Sequence, residues 1–364
     1  MQVLTREAKL YPSKKQEQVL VVLFEDCRKL YNTILETKIK AYEEEKKTIH
    51  RFELHKMFKD YNANIPASLK QSIASRVNTA YDRFFRKQSK FPRFKSSNRL
   101  RSIELRQHNI DYRIKGTYLS VWKGIGHIKT RGLQELENPK GARIVKRATG
   151  WYVQVMDEVE DKQISGNNKQ VGIDMGLKYF VADSNGNKIE APKFFRKSQK
   201  RLRVQQRQLK NKTKFSKRWK KQGWQIAKTH EHVANQRKDW LHKLSHKYAK
   251  ENGTVYAENL NIAGMLKNHC LAKSISDASW NIFLNMLQYK LEMLSGTLEF
   301  VPAHYTSQKC SACGELVQKS LSVRTHLCPY CGFTADRDTN ASLNILRLGQ
   351  SRQALTYGNS QSVA

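Results

Sequence analysis

The sequence predicts a multidomain α+β protein. An N-terminal antiparallel β-barrel or sheet is interrupted by a helical insertion, and an α/β half with a four-cysteine module follows. Three observations lead there. Strand-like alternation opens the chain, gives way to helical periodicity, and resumes near residue 101. Two apolar strands of the second half each hold one acid, Asp174 and Glu258. Four of the six cysteines crowd into residues 310–331. At 364 residues the chain has room for two or three domains.

Residues 2–10 read as a short strand. Pro12-Ser13-Lys14-Lys15-Gln16 is a helix start, with Ser13 as N-cap and Gln16 completing a capping box. Leu20, Leu23, Cys27, Leu30 and Ile34 follow at spacings of three and four, the stripe of a helix packed on one face. Leu69, Ile73, Val77, Ala80 and Phe84 mark a second helix, which Pro92 in "KFPRFK" (90–95) ends. Between 101 and 157, "SIELRQ", "GTYLSVW", "ARIVKRA" and "WYVQVMDE" alternate between glycine-containing turns, the pattern of a small antiparallel sheet that the first strand can join. The polar run "DKQISGNNK" (161–169) is the expected domain boundary.

"QVGIDMGLKYFVADSNGNKI" then gives two strands and a turn at Asn185-Gly186. Residues 193–250 carry 20 Lys/Arg against Glu231 and Asp239 and read as two basic helices stopped at Asn252-Gly253. "TVYAENL" (254–260) is the next strand. A helix near 278–295 and a strand near 297–302 lead to the cysteines, and a last helix spans about 339–348. The polar tail, 351–364, is expected to be disordered.

Composition narrows the partner. Sixty-six Lys/Arg against 32 Asp/Glu leave a formal charge of +34, which attracts polyanions and makes nucleic acid the natural ligand. No run of about 18 apolar residues is present to span a bilayer, and the N-terminus lacks the apolar stretch of a secretory signal. The expectation is a soluble intracellular protein without a membrane partner.

Cys310-x2-Cys313 and Cys328-x2-Cys331, with 14 residues between the pairs, have the spacing of a zinc ribbon. Each pair turns two thiolates toward one ion, and four thiolates leave no open position, so this Zn²⁺ is structural. Gly314 and Gly332 follow the pairs where such turns need a positive dihedral. Cys27 reads as a small core residue of the first helix.

The acids point to a different ion. Asp174 in "VGIDMG" and Glu258 in "VYAENL" interrupt apolar strands, where a carboxylate is costly unless compensated. Asp336 and Asp338 in "TADRDTNAS" add a third acidic point, though Asp338 alone can be an ordinary helix N-cap. Hard carboxylate ligands suit Mg²⁺ or Mn²⁺, and three of them can hold two such ions for phosphodiester hydrolysis.

These motifs resemble a known family. "GIDMG", "YAENL" and "TADRDTNAS", bracketing the ribbon that "YTSQKC" introduces, are similar to the TnpB proteins of bacterial insertion sequences, relatives of type V CRISPR effectors. "LYPSKKQEQVL", "CRKLYN", "FPRFK" and "HEHVANQRKDWLHKLS" extend the resemblance over most of residues 1–350. It implies an RNA-guided DNA endonuclease that cuts beside a short transposon-adjacent motif. It also implies a RuvC-like, RNase H-type nuclease domain over 165–304 and 332–350, with a zinc ribbon (305–331) inserted. A wedge-like β-barrel would occupy 1–11 and 92–162, with a helical recognition insertion at 12–91. Matched residue by residue, the catalytic, Mg²⁺-binding acids are Asp174, Glu258 and Asp338. Asp338 is preferred over Asp336 because the family's third acid is followed two residues on by Asn, here Asn340. Implied partners are a guide RNA from the transposon end and double-stranded target DNA, bound by a monomer in the cytoplasm of a bacterium or archaeon, at the nucleoid. A nuclease-inactive guide-directed repressor and a DNA-strand-transfer transposase remain as alternatives.

Other motifs carry less. His242 and His246 share a helix face, but Lys243 stands where a zincin helix needs Glu. The basic segment, with Phe215, Trp219 and Trp224 interleaved, suits nucleic-acid contact better than a merely solvated face. Arg93 and Lys95 of "FPRFK" are either phosphate contacts or solvent-facing spacers.

Overall fold

The computed structural model describes residues 2–97, 99–122, 124–133, 136–160, 167–320 and 323–361. It divides into two compact units, Met1–Asp161 and Lys162–Ala364. Of the expected boundary run 161–169, residues 161–166 lie outside the described residues.

In the first unit, strand β1 (Gln2–Tyr11) leads into helices α1 (Lys14–Glu45), α2 (Arg51–Met57) and α3 (Ala67–Phe85). Six strands follow: β2 (Ser102–Leu105), β3 (Tyr112–Lys115), β4 (Tyr118–Val121), β5 (His127–Arg131), β6 (Pro139–Arg147) and β7 (Gly150–Val159). The capping box forms as expected: the Gln16 amide donates to Ser13 Oγ (3.3 Å) and the Ser13 amide to Gln16 Oε1 (2.9 Å). Along α1 the buried stripe includes Leu20, Leu23, Cys27, Leu30 and Ile34, which join Leu69, Ile73 and Val77 of α3 in one core. Burial pushes the Cys27 thiol up to about 12, in keeping with a packing role. α3 ends at Phe85, well before Pro92, because Lys87 turns into the left-handed region (φ 57°). The short helix α2 has no counterpart in the sequence reading.

All seven strands pair antiparallel in the order β2-β6-β7-β1-β5-β4-β3. β1 lies between β7 and β5, as the alternation suggested. The end strands β2 and β3 are not neighbours in that order, so the sheet is curled and open where a barrel was expected.

The second unit holds β8 (Gln170–Asp174), β9 (Tyr179–Asp183), β10 (Lys188–Glu190), α4 (Phe194–Lys210), α5 (Lys217–Glu251) and β11 (Thr254–Glu258). After these come α6 (Ile262–Met265), α7 (Ala272–Ala278), α8 (Trp280–Met293), β12 (Thr297–Val301), β13 (Thr325–Leu327), β14 (Thr334–Asp336) and α9 (Arg337–Gln361). A mixed sheet runs β10-β9-β8-β11-β12: β8 and β12 lie parallel to β11, and β9 lies antiparallel to β8 and β10. Val171, Ile173 and Val181 meet Leu241, Leu244, Phe283 and Leu287 of α5 and α8 in one apolar cluster. β8 and β11, buried along nearly their whole length, are the central strands. The Asn185-Gly186 turn closes β9 onto β10, with Asp183 Oδ1 accepting from the amides of Asn185 (3.0 Å) and Asn187 (2.9 Å).

The last helix differs from expectation. It continues past 348 to Gln361, so residues 351–361 of the expected disordered tail are helical, and 362–364 lie outside the described residues. Polar side chains that look like tail composition tie it down: Tyr256 Oη donates to Gln353 Oε1 (2.6 Å), which also accepts from Gln170 Nε2 (3.3 Å). Among the described residues no helix is long and apolar enough to cross a membrane.

Candidate active site and metal centre

Side chains of a strand alternate between faces, and this parity sorts the acids. On β8, Val171 and Ile173 enter the core under α5 and α8, so Gly172 and Asp174 face the other way. α9 lies on that other face. A Cβ on Gly172 would stand 2.2 Å from Ser342 O and 2.6 Å from Leu346 N. Glycine is therefore required where helix and strand backbones touch. On β11, Tyr256 faces α9 as well, its ring against Gly349, and Glu258 shares its parity. β8 and β11 pair in parallel from Thr254↔Gln170 to Ala257↔Ile173, and the next step along both strands is Glu258 and Asp174. Both acids thus lie at the carboxyl ends of adjacent parallel strands, where open α/β sheets place their ligands. Asp338 enters from the first turn of α9.

Electrostatics ties the three together. Burial, then the Glu258 charge and then the Asp338 charge push the Asp174 carboxyl up to about 8, against the Arg337 guanidinium and the Met175 amide. Burial also raises Glu258, which is 8% exposed, while the Thr306 hydroxyl donates to its Oε1 and opposes the shift. Asp338 has Arg324 at 3.7 Å. Asp174 and Glu258 thus end adjacent strands, and the charge of Asp338, from the start of α9, acts on Asp174.

Asp336 behaves differently. Its Oδ1 accepts from the amides of Asp338 (2.9 Å) and Thr339 (3.4 Å), and its Oδ2 meets Lys188 Nζ at 2.9 Å. Burial raises its pKa, but Lys188 and the Asp338 amide outweigh that and hold it below the ordinary value. The helix-cap role considered for Asp338 thus falls on Asp336. Its cationic partner is Lys188 of β10.

The four cysteines also converge. The Sγ atoms of Cys310, Cys313, Cys328 and Cys331 lie within 4.8 Å of one another, with Cys310–Cys331 at 3.7 Å and Cys313–Cys328 at 3.6 Å. Zn–S bonds of about 2.3 Å in a tetrahedron put sulfurs roughly 3.8 Å apart, so this donor set fits Zn²⁺. Among the described residues it is the one group of three or more His, Cys, Asp or Glu gathered so tightly. The carboxylates are less tightly grouped, and His242 and His246 form no such cluster.

Sequence reasoning missed the groups that join the ribbon to the acids. Asn340, fully buried, accepts from the Ser311 amide (2.9 Å) and donates to Lys309 O (2.7 Å). One turn on, Asn344 Nδ2 donates to Thr306 O (2.8 Å) and Lys309 O (2.7 Å). The signal was available: Asn340 and Asn344 are four apart and so share one helix face. Two polar residues there need partners in the fold. Of the lesser motifs, Phe215, in the connection between α4 and α5, is 75% exposed and Trp224 on α5 is 48% exposed, with Lys228 Nζ 3.6 Å from the Trp224 ring. The Lys95 ammonium sits 4.5 Å from the Tyr31 ring, so it is more than a solvent-facing spacer.

Gly172→Ala offers a direct check of this packing. The methyl group would collide with two backbone atoms of α9, so about 1–3 kcal/mol of stability should be lost, with α9 and Asp338 displaced. An unchanged thermal midpoint would contradict the close approach.

Comparison with known proteins shows which family the chain resembles. A family model described as "Probable transposase" (OrfB of IS605) matches residues 153–269, and one described as "Cas12f1-like, TNB domain" matches 280–345. A "Helix-turn-helix domain" model matches 4–47, where the structure has β1 and the single long helix α1. The chain is 32% identical over 363 residues to a Streptomyces pristinaespiralis protein, covering 96% of this chain and 90% of that one. It is 30% identical over 300 residues to InsQ of Escherichia coli K12, covering 77% and 74%. Both relatives carry the provisional name RNA-guided DNA endonuclease. Among solved structures, the mini-RNA-guided endonuclease CRISPR-Cas phi3 shares the fold, with TM-score 0.52, 9% identity and coverage of 95% and 92%.

Proposed function

The chain belongs to the TnpB family, and from that premise we propose that it is an RNA-guided DNA endonuclease of RuvC type. It cuts double-stranded DNA beside a short adjacent motif by phosphodiester hydrolysis. The observation that supports this is the placement of Asp174 and Glu258 at the ends of adjacent parallel strands on the α9 face of a mixed sheet, with the Asp338 charge acting on Asp174. A carboxylate whose proton affinity is raised by burial and by neighbouring acids, as at Asp174, is poorly suited to stabilise a fold and well suited to bind a cation.

Asp174 and Glu258 would ligate Mg²⁺, with Asp338 completing a two-ion site. When bound, the ions supply an activated water and neutralise the leaving oxygen. The protein's part is to hold the donors in place: Thr306 orients Glu258, and Asp336 caps the helix that delivers Asp338. On this reading 165–304 and 332–350 form the nuclease domain. Residues 1–11 and 92–162 form the wedge, and 12–91 the recognition insertion. Sequence choice rests with a guide RNA from the transposon end, paired to target DNA and held by its backbone in a basic channel of a monomer.

Residues 305–331 form the ribbon, and Cys310, Cys313, Cys328 and Cys331 would hold structural Zn²⁺. Asn340 and Asn344 bond to Lys309 and Ser311 at its entrance, so loss of the ion should loosen the turn that carries Asp338. Cys310→Ser or Cys328→Ser is expected to lose about one zinc per chain and to lower the unfolding temperature. Wild-type protein with no zinc by metal analysis would overturn this assignment.

The matching family description keeps strand transfer as the second reading. A cleavage assay with matched RNA separates the two. The nuclease leaves free ends and needs Mg²⁺, whereas a transposase joins a 3′ end to target DNA. Omission of Mg²⁺ should stop cutting without unfolding the protein.

A further inference from the structure

A cavity of about 430 Å³ lies in the first unit, between the carboxyl-terminal ends of α1 and α3. It is remote in sequence from every acid and cysteine discussed above. Its walls are aromatic: Tyr42 is 59% exposed, Phe85 68% and Phe91 45%. Phe91 stands edge-on to Tyr81 (5.6 Å) and Phe84 (5.3 Å), so these rings brace one another. The bracing gives a preformed apolar slot rather than a collapsed core.

Three lysines share this lining: Lys38, Lys46 and Lys47, against the single acid Glu43. Lys38 is 7% exposed, donates to Ile49 O (2.6 Å), and lies 4.9 Å from the Tyr81 ring. A buried ammonium beneath an aromatic wall is an expensive arrangement for mere packing. The adjoining stretch "FFRKQSKFPRFK" (84–95) interleaves four aromatics with five cations, and no acid occurs between Asp82 and Glu104.

We propose that this slot takes one or two unstacked nucleotides of a single-stranded segment, the bases against Tyr42, Phe85 and Phe91 and the phosphates toward Lys46 and Lys47. Aromatic walls flanked by cations match the two chemical parts of a nucleotide, a flat π-face and an anion. An apolar peptide would use the rings but leave the lysines without a counter-charge. The inference rests on the reading that the chain binds nucleic acid, and it adds where bases leave their stack. RNA and displaced DNA share this chemistry.

The test uses full-length protein without added Mg²⁺ and two single-stranded probes of equal length, one DNA and one RNA, each containing 5-iodouracil. Phe85→Ala should weaken binding of at least one probe by about five- to a hundredfold at fixed salt, leaving the salt slope unchanged because no cation is lost. The control Phe52→Ala, 73% exposed on α2 and outside the cavity, should change nothing. Photo-crosslinks should map to peptides containing Tyr42, Phe85 or Phe91, and the probe that responds identifies the source. Phe85→Ala that binds both probes like wild type, or crosslinks that map only elsewhere, would overturn the proposal. Binding is measured apart from cutting, so a wild-type protein that binds but fails to cleave defeats only the nuclease reading.

Discussion

Asp174→Ala and Glu258→Ala are each expected to abolish DNA cutting while leaving RNA and DNA binding intact. Both side chains sit at the ends of adjacent parallel strands, and burial raises both carboxyls above their ordinary values. On the proposed reading, removing either deletes a cation ligand rather than a substrate contact. The loss should reach at least about 10⁴-fold in the chemical step, or roughly 5.5 kcal/mol of barrier. The fold should survive, since neither acid is a keystone of packing: Val171, Ile173, Val255 and Ala257 carry the strand cores. Single-turnover cleavage with saturating RNA gives the first quantity, and filter binding at the same salt gives the second. A variant that cuts at the wild-type rate would remove that residue from the site.

The second large effect separates two aspartates only two positions apart. Asp338→Ala should lower the cutting rate by at least about 10³-fold, roughly 4 kcal/mol, whereas Asp336→Ala should lose much less. The Asp338 charge contributes to the raised proton affinity of Asp174. Asp336 is occupied, accepting two α9 amides and holding Lys188. Its loss removes a helix cap, a cost of about 0.5–2 kcal/mol in stability, and lets Asp338 wander without deleting it. Asp336→Asn, which keeps a capping oxygen, should restore most of the activity and stability lost in Asp336→Ala. An inactive Asp336→Ala beside an active Asp338→Ala would reverse the assignment.

What the sequence showed and what it hid follow from the range of the forces involved. Local chemistry was legible: the Ser13–Gln16 capping box, the α1 stripe, the Asn185-Gly186 turn and the cysteine pairs are set by neighbours a few residues apart. Asp174 and Glu258 stood out because an acid inside an apolar strand is improbable unless something compensates it. That they occupy adjacent parallel strands, one step beyond the Ala257↔Ile173 pair, depends on a sheet register between segments 84 residues apart in the sequence, which no local pattern fixes. The last helix was cut short because Gln350–Gln353 look like a polar tail. Only the sheet supplies Tyr256 and Gln170 as their partners. The pairing of Asp336 with Lys188 of β10, 148 residues away in sequence, is also set by the fold. The contact of Lys95 with the Tyr31 ring of α1 joins residues 64 apart and likewise lies beyond local pattern.

The most direct test of the central claim is cleavage of a double-stranded DNA by the purified protein, loaded with the RNA that copurifies with it. The target carries a match to that RNA's guide beside a randomised flank. The account predicts Mg²⁺-dependent double-strand cutting of matched DNA next to one enriched flanking motif, and none of mismatched DNA or by Asp174→Ala. Cutting that ignores the guide, joining of a 3′ end into the target, or binding of matched DNA without any cleavage at saturating Mg²⁺ would contradict it.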